Sequence, residues 1–175
     1  MKVLDGEARP EGGLALRTWR LAAVVALCAA VPSPASDKES ARPSLKGVPA
    51  FRVVVDLVGS KADRGDTLRL QDLQADVERQ VAQAGIRVAK DADATLYANL
   101  AVVCGRVEWC AFNVALEVQQ RVRLERRPHA GTLIGPTWST GITGLVARHT
   151  RLIRQNLRDQ VDQFVAAYRA ANPHD

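Results

Sequence analysis

Residues 94–126 read ATLYANLAVVC, then GRVEW, then CAFNVALEVQQRVRLER. In the first run Leu96, Ala98, Leu100 and Val102 fall at every second position. In the second run Phe112, Val114, Leu116, Val118, Val122 and Leu124 do the same, while Asn113, Glu117, Gln119, Arg121, Arg123 and Glu125 alternate with them. A period of two is the strand signal. Two such strands joined by five residues make an antiparallel hairpin with one buried and one wet face. The second arm is long. Its residues 110–126, fully extended, would span about 55 Å, against a diameter of about 37 Å for a domain of this size. Gln120 interrupts the apolar face, so a bend or bulge is expected near residues 119–120.

The flanking segments fit around this hairpin. Phe51, Val53, Val55 and Leu57 place a first strand at residues 51–59. A polar loop follows at 60–66. Leu70, Leu73, Val77, Val81 and Ala84 recur at spacings of three and four, which predicts a helix over 68–84 with Asp66 or Thr67 as its N-cap. Gly85 followed by Ile86 predicts a left-handed helix stop, then a short strand at 86–88. Beyond the hairpin, residues 132–134 and 137–140 read as a last strand broken by Gly135 and Pro136, and 141–144 as a loop. Pro136 argues for an edge position or a kink. A terminal helix over 148–171 carries Ile153, Leu157, Val161, Phe164, Val165 and Tyr168 as its apolar stripe, and Asn172 and Pro173 end it.

Two one-sided helices and a one-sided sheet cover each other. The expected fold class is α+β: a two-layer sandwich, with a mostly antiparallel sheet of four to five strands and both helices on one face. The crossover from the first strand through the first helix predicts one parallel pairing.

Ahead of this domain, residues 17–36 read RTWRLAAVVALCAAVPSPAS. Two arginines, an apolar run of 11 residues and a small, proline-containing flank are the parts of a signal peptide. The run is too short for a spanning helix, which needs about 20 residues. Cleavage near Ala35 is expected, giving residues 1–36 as leader and signal peptide, 37–50 as a flexible lead-in and 51–173 as one domain. The localisation that follows is periplasmic or secreted, with no transmembrane span in the mature chain. The leader before Arg17 carries Asp5, Glu7 and Glu11 and the chain's single methionine, Met1, so initiation at a non-AUG codon further on is a second reading. Cys28 is preceded by Leu27 and not by the small residue that a lipidation site calls for.

Removing residues 1–36 leaves 20 basic and 16 acidic side chains, a net charge of +4. That permits contact with an anionic lipid or glycan surface without requiring it. Cys104 and Cys110 are the remaining cysteines, at the two shoulders of the hairpin turn. In an oxidising compartment they are expected to form a structural disulfide. Their spacing is not the CxxC of redox catalysts. No metal site is expected, because no histidine or paired carboxylate stands beside them in sequence.

His129, His149 and His174 accompany no nucleophile motif, and no GxSxG, HExxH, phosphate-binding loop or dinucleotide fingerprint is present. The sequence reading is therefore no enzyme and no cofactor. Arg148, Arg151, Arg154 and Arg158 line one side of the last helix, at the end where the helix dipole disfavours cations. Two readings stand: a solvated face, with Arg158–Asp162 as an i,i+4 pair, or a stripe compensated by lipid headgroups, a partner or acidic residues of the same fold. The candidate binding surface comprises these four arginines together with Asn113, Glu117, Gln119, Arg121 and Arg123 on the wet face. Trp109 in the turn reads equally as core or as a binding anchor, and Trp138 as core. A nucleic-acid surface is not expected, since no exposed aromatic pattern accompanies the charge.

LQADVERQVAQAGIRV, ATLYANLAVV, FNVALEVQQRVRLER, TWSTG and DQVDQFVAAYRAANP together resemble a family of small secreted bacterial proteins of unknown function. The resemblance spans most of residues 51–173 and implies no catalytic residues. In topology alone, helices on one face of a small sheet after a signal peptide are similar to the lipopolysaccharide-assembly lipoprotein that partners an outer-membrane barrel. The functional expectation is a non-enzymatic periplasmic or secreted binding or accessory domain of the cell envelope. The alternatives are a small-ligand or lipid-binding module with a pocket between helices and sheet, and a hydrolase without a recognisable motif.

Overall fold

The structure is a computed structural model. It describes residues 39–59, 68–105, 109–126, 131–147 and 151–173. The chain divides into units Met1–Ala30 and Val31–Asp175, and every described residue belongs to the second.

Four strands form one open sheet in chain order: β1 (Phe51–Val58), β2 (Ala94–Cys104), β3 (Trp109–Val122) and β4 (Leu133–Ala147). β1 and β2 run parallel, from Phe51 beside Ala94 to Val58 beside Ala101. β2 and β3 are the antiparallel hairpin, from Thr95 beside Gln119 to Cys104 beside Cys110. β4 adds antiparallel to β3. This is the α+β sandwich expected from the alternation, with four strands. The expected fifth strand at 86–88 is reduced to one bridge between Phe51 and Val88.

Helices α1 (Leu70–Gln83) and α2 (Arg151–Ala171) pack on each other and on one face of the sheet. Leu73, Val77 and Val81 of α1 and Ile153, Leu157, Val161 and Phe164 of α2 are buried against Val53, Val55, Leu96, Leu100, Val114, Leu116 and Val118. Leu70, counted in the apolar stripe, is instead exposed, and Leu68 just ahead of the helix is buried. The reason is the helix start: Arg69 is the N-cap, without a side-chain cap bond. The cap residues Asp66 and Thr67 lie outside the described residues. The other end is as the sequence indicates. Gly85 has φ +86°, its N–H reaches Ala82 C=O at 3.0 Å, and Ile86 N–H reaches Val81 C=O at 3.2 Å. That double closure satisfies two carbonyls of the last turn, and buried Ile86 follows it.

Three expectations need correction. The lead-in at 37–50 is packed from Glu39 onward. Glu39–Leu45 is a 3-10 helix, and Leu45 is fully buried. Tyr168 donates to Val48 C=O at 2.9 Å, and Asn172 bonds both Gly47 N–H and Leu45 C=O. One buried side chain and a set of backbone bonds leave no apolar period to read. Residues 141–144, expected as a loop, are strand and pair with Phe112 to Ala115. The glycines there fit because β3 is close: a Cβ on Gly144 would stand 2.9 Å from the Phe112 ring. Finally, the irregularity opposite Val118 and Gln119 is present, but its extra residue is Thr137 on β4, not a residue of the long arm. Val118 pairs with Trp138 and Gln119 with Pro136, so Thr137 is skipped. Thr137 Oγ1 donates to Val118 C=O at 3.2 Å, and its own C=O accepts from Ser44 Oγ at 3.1 Å. Pro136 sits on an edge strand beside this bulge, where a missing N–H is tolerated.

At the centre of the core, Phe164 meets Phe51 edge-on at 5.1 Å and Trp138 at 5.6 Å. Tyr168 meets Phe51 at 5.7 Å. Trp138 is core, as its alternation indicates.

Candidate functional site

The candidate site is the sheet face turned away from the helices. At its turn end the hairpin is closed by a disulfide between Cys104 and Cys110, whose Cα atoms are 4.0 Å apart. Odd-numbered residues of β3 and their partners face outward here. Val103, Ala111 and Leu145 form one row across three strands, and Trp109 lies beside Ala147 in the next row. Val58 ends β1 one strand away, beside Ala101. Val58 is 57% exposed, Val103 65%, Trp109 56% and Leu145 70%. Single exposed apolar residues are ordinary; these four share one end of one face. Trp109 is exposed at the turn end of the hairpin, so it is not a core residue.

The middle of the same face is polar and internally bonded. Tyr97 OH donates to Asp56 Oδ2 at 2.6 Å, and Asn99 Nδ2 donates to Tyr97 OH at 3.3 Å. The bond to Asp56 raises the Tyr97 hydroxyl above its ordinary value of 10.0, against a smaller opposite pull from Asn99. Asn113 Nδ2 donates to Thr143 Oγ1 at 2.8 Å. Glu117 and Gln119 are half-buried on this face. Arg121 pairs with Asp93 at 2.5 Å, and Arg123 is exposed just past the end of β3. The wet-face candidates are therefore brought together, below the apolar end.

The arginine stripe is placed differently. Arg154 and Arg158 turn inward to Asp76 of α1, at 2.7 and 3.3 Å, and Arg79 meets the other oxygen of the same carboxylate at 3.2 Å. The Asp76 side chain is 8% exposed. Burial alone would raise its carboxyl, but the hydrogen bonds and charges of Arg154 and Arg158 outweigh burial and hold it below the ordinary 3.8. For Arg154 and Arg158 the compensating anion is thus an acidic residue of the same fold. Asp162, expected to pair with Arg158, accepts instead from Gln80 Nε2 at 2.7 Å. Arg151 is exposed, and Arg148 lies outside the described residues. Asp76 escaped the sequence reading because it sits between Leu73 and Val77 on the buried side of α1. An acid at that position opposite an arginine-lined helix was the available signal.

His129, His149 and His174 also lie outside the described residues, and no cluster that could hold a metal ion occurs among the described ones. Phe51, Trp138 and Phe164 are buried between helices and sheet. A cleft of about 350 Å³ opens at the opposite end of the sheet from the disulfide, lined by Val48, Pro49, Ala92, Asp93, Gln120 and Arg121 among others. No described helix is long and apolar enough to cross a membrane.

Fold and site together define a disulfide-stapled α+β sandwich with one open sheet face. No protein-family model matches the chain, and no curated protein matches it. Among solved structures it is similar to a PelC dodecamer from Paraburkholderia phytofirmans, at 12% identity and TM-score 0.39, over 67% of this chain and 86% of that one. It is also similar to a minor lipoprotein from Acinetobacter baumannii, at 10% identity and TM-score 0.39, over 73% of this chain and 95% of that one. Likenesses this distant assign no role.

Proposed function

We propose that this protein is a non-enzymatic binding domain of the cell envelope, periplasmic or secreted, which holds an envelope protein against the disulfide end of its open sheet face. The observation that carries this reading is the row Val103–Ala111–Leu145 beside Trp109. These are exposed apolar side chains on three neighbouring strands, two of which, β2 and β3, are locked together by Cys104–Cys110. An aromatic anchor on a backbone that cannot splay loses little freedom on binding, which favours a protein contact. The partner surface it fits is apolar and uncharged. The disulfide and the signal-like segment at 17–36 support an oxidising compartment.

The test is affinity capture from envelope extract, comparing the natural chain with Trp109→Ala and Val103→Asp. One partner recovered by the natural chain and lost by both variants is expected. Repeated captures without an enriched partner, or equal recovery by the variants, contradict the reading.

A small-ligand module is the second reading. Phe51, Trp138 and Phe164 occupy part of its expected location between helices and sheet, and the cleft at Val48, Asp93 and Arg121 is a second place where it would act.

A further inference from the structure

The two edges of the sheet are treated differently. On β1 outward groups of Phe51, Val53 and Val55 are occupied. Phe51 N–H and C=O bond Arg87 C=O and Ala89 N–H, and Gln74 of α1 bonds Val55 N–H and Val53 C=O. On β4, the 3-10 helix reaches the Thr137 end through Ser44. Ser139, Gly141, Thr143, Leu145 and Ala147 show no such cover among the described residues.

Which groups are free there follows from alternation. The 4.0 Å approach of Cys104 and Cys110 marks a non-hydrogen-bonded pair, so Cys110 bonds toward β4 and its partner Val146 bonds back. The backbone groups of Ser139, Gly141, Thr143, Leu145 and Ala147 then point away from β3. In addition, β4 reads LIGPTWSTGITGLVA, without one charged side chain. Long edge strands are ordinarily guarded by lysine or another charge, and this stretch has none.

We infer that this edge pairs with the same edge of a second copy of the chain, antiparallel, joining two sheets into one of eight strands. A second copy is the occupant that the geometry selects. The strand has no charge to repel itself or to choose a charged partner. With β1 capped by Gln74, pairing β4 with β4 also consumes the open edge, so assembly closes at a two-fold dimer. The register that uses the outward groups of Ser139, Gly141, Thr143, Leu145 and Ala147 is centred on Thr143. It sets Leu145 of one copy opposite Gly141 of the other, on the open face, where glycine leaves room for the leucine. The two open faces then lie on the same side of the joined sheet. The inference does not rest on the proposed partner contact, and its variants spare Trp109 and Val103.

Analytical ultracentrifugation of the purified protein over a wide concentration range tests it. The natural chain goes from one to two copies and no further. Thr143→Pro removes one outward N–H and raises the dimer dissociation constant about tenfold or more, with unchanged circular dichroism. Thr143→Lys does the same through charge and serves if the proline variant fails to fold. Thr143→Cys forms a disulfide-linked dimer under oxidising conditions. A monomer at all concentrations, growth beyond two copies, or a dimer that survives both substitutions without cross-linking at residue 143 overturns the inference.

Discussion

The side-chain amide of Gln74 bonds Val55 as the peptide group of a neighbouring strand would. Its Oε1 accepts from Val55 N–H at 3.0 Å, while its Nε2 donates to Val53 C=O at 2.8 Å and to Glu78 Oε1 at 2.6 Å. A helix residue thus finishes the edge of β1. Gln74→Ala leaves both backbone groups without that partner and is expected to lower stability by about 1–2 kcal/mol in urea unfolding. Gln74→Glu retains an acceptor for Val55 but sets a carboxylate against Val53 C=O and Glu78, so a loss at least as large is expected at neutral pH. Equal stability of all three proteins would show that the cap contributes nothing.

Asp76 supplies a pH test. Its carboxyl titrates below its ordinary 3.8 in the folded chain. A carboxyl depressed in the fold stabilises fully above its unfolded value, and that contribution is lost as pH falls through the folded value. Unfolding free energy should therefore drop as the solution is acidified below about pH 4. Asp76→Asn should be less stable at pH 7 by about 2 kcal/mol, and its acid limb should be flatter. Parallel acid limbs for the two proteins would remove Asp76 from the account.

Two glycines separate strain from crowding. Gly59 leaves β1 with φ +139°, and a Cβ there would stand 2.4 Å from Val102 C=O. Gly85 has φ +86° with open space around it. Gly85→Ala should cost about 1 kcal/mol, the penalty of the left-handed region alone. Gly59→Ala should cost about 2 kcal/mol or more, because backbone must also move. The reverse order in thermal unfolding would contradict the local geometry.

How much of this was legible beforehand can be read from single residues. Strict alternation from Leu96 to Val118 carried the hairpin, its buried face and the class of fold, because side-chain direction along a strand has a period of two. Gly85–Ile86 carried the helix stop, because few residues other than glycine take positive φ. Three things had no local signature. Gly141 and Gly144 interrupt the period that marks a strand, and the groups that explain them, the Val114 carbonyl and the Phe112 ring, belong to β3. Thr137 is a bulge only through its register against Val118. Asp76 looks like a surface acid until α2 brings Arg154 and Arg158 to it.

The disulfide is checked by mass. Closing so short a loop stabilises by about 2 kcal/mol in the chain-entropy model. Cys104→Ser with Cys110→Ser should lose about that much and leave the far end of the sheet unchanged. Two readily alkylated thiols in exported material would contradict the pairing seen between these residues.

The central claim, that the disulfide end of the open face holds an envelope protein, is met most directly by photo-cross-linking in living cells. A photoreactive residue placed at Val103, on that face, is compared with one at Ala82, exposed on α1. A discrete adduct to one envelope protein from position 103 and none from position 82 is the predicted result. No adduct from 103, or the same adducts from both positions, would contradict it.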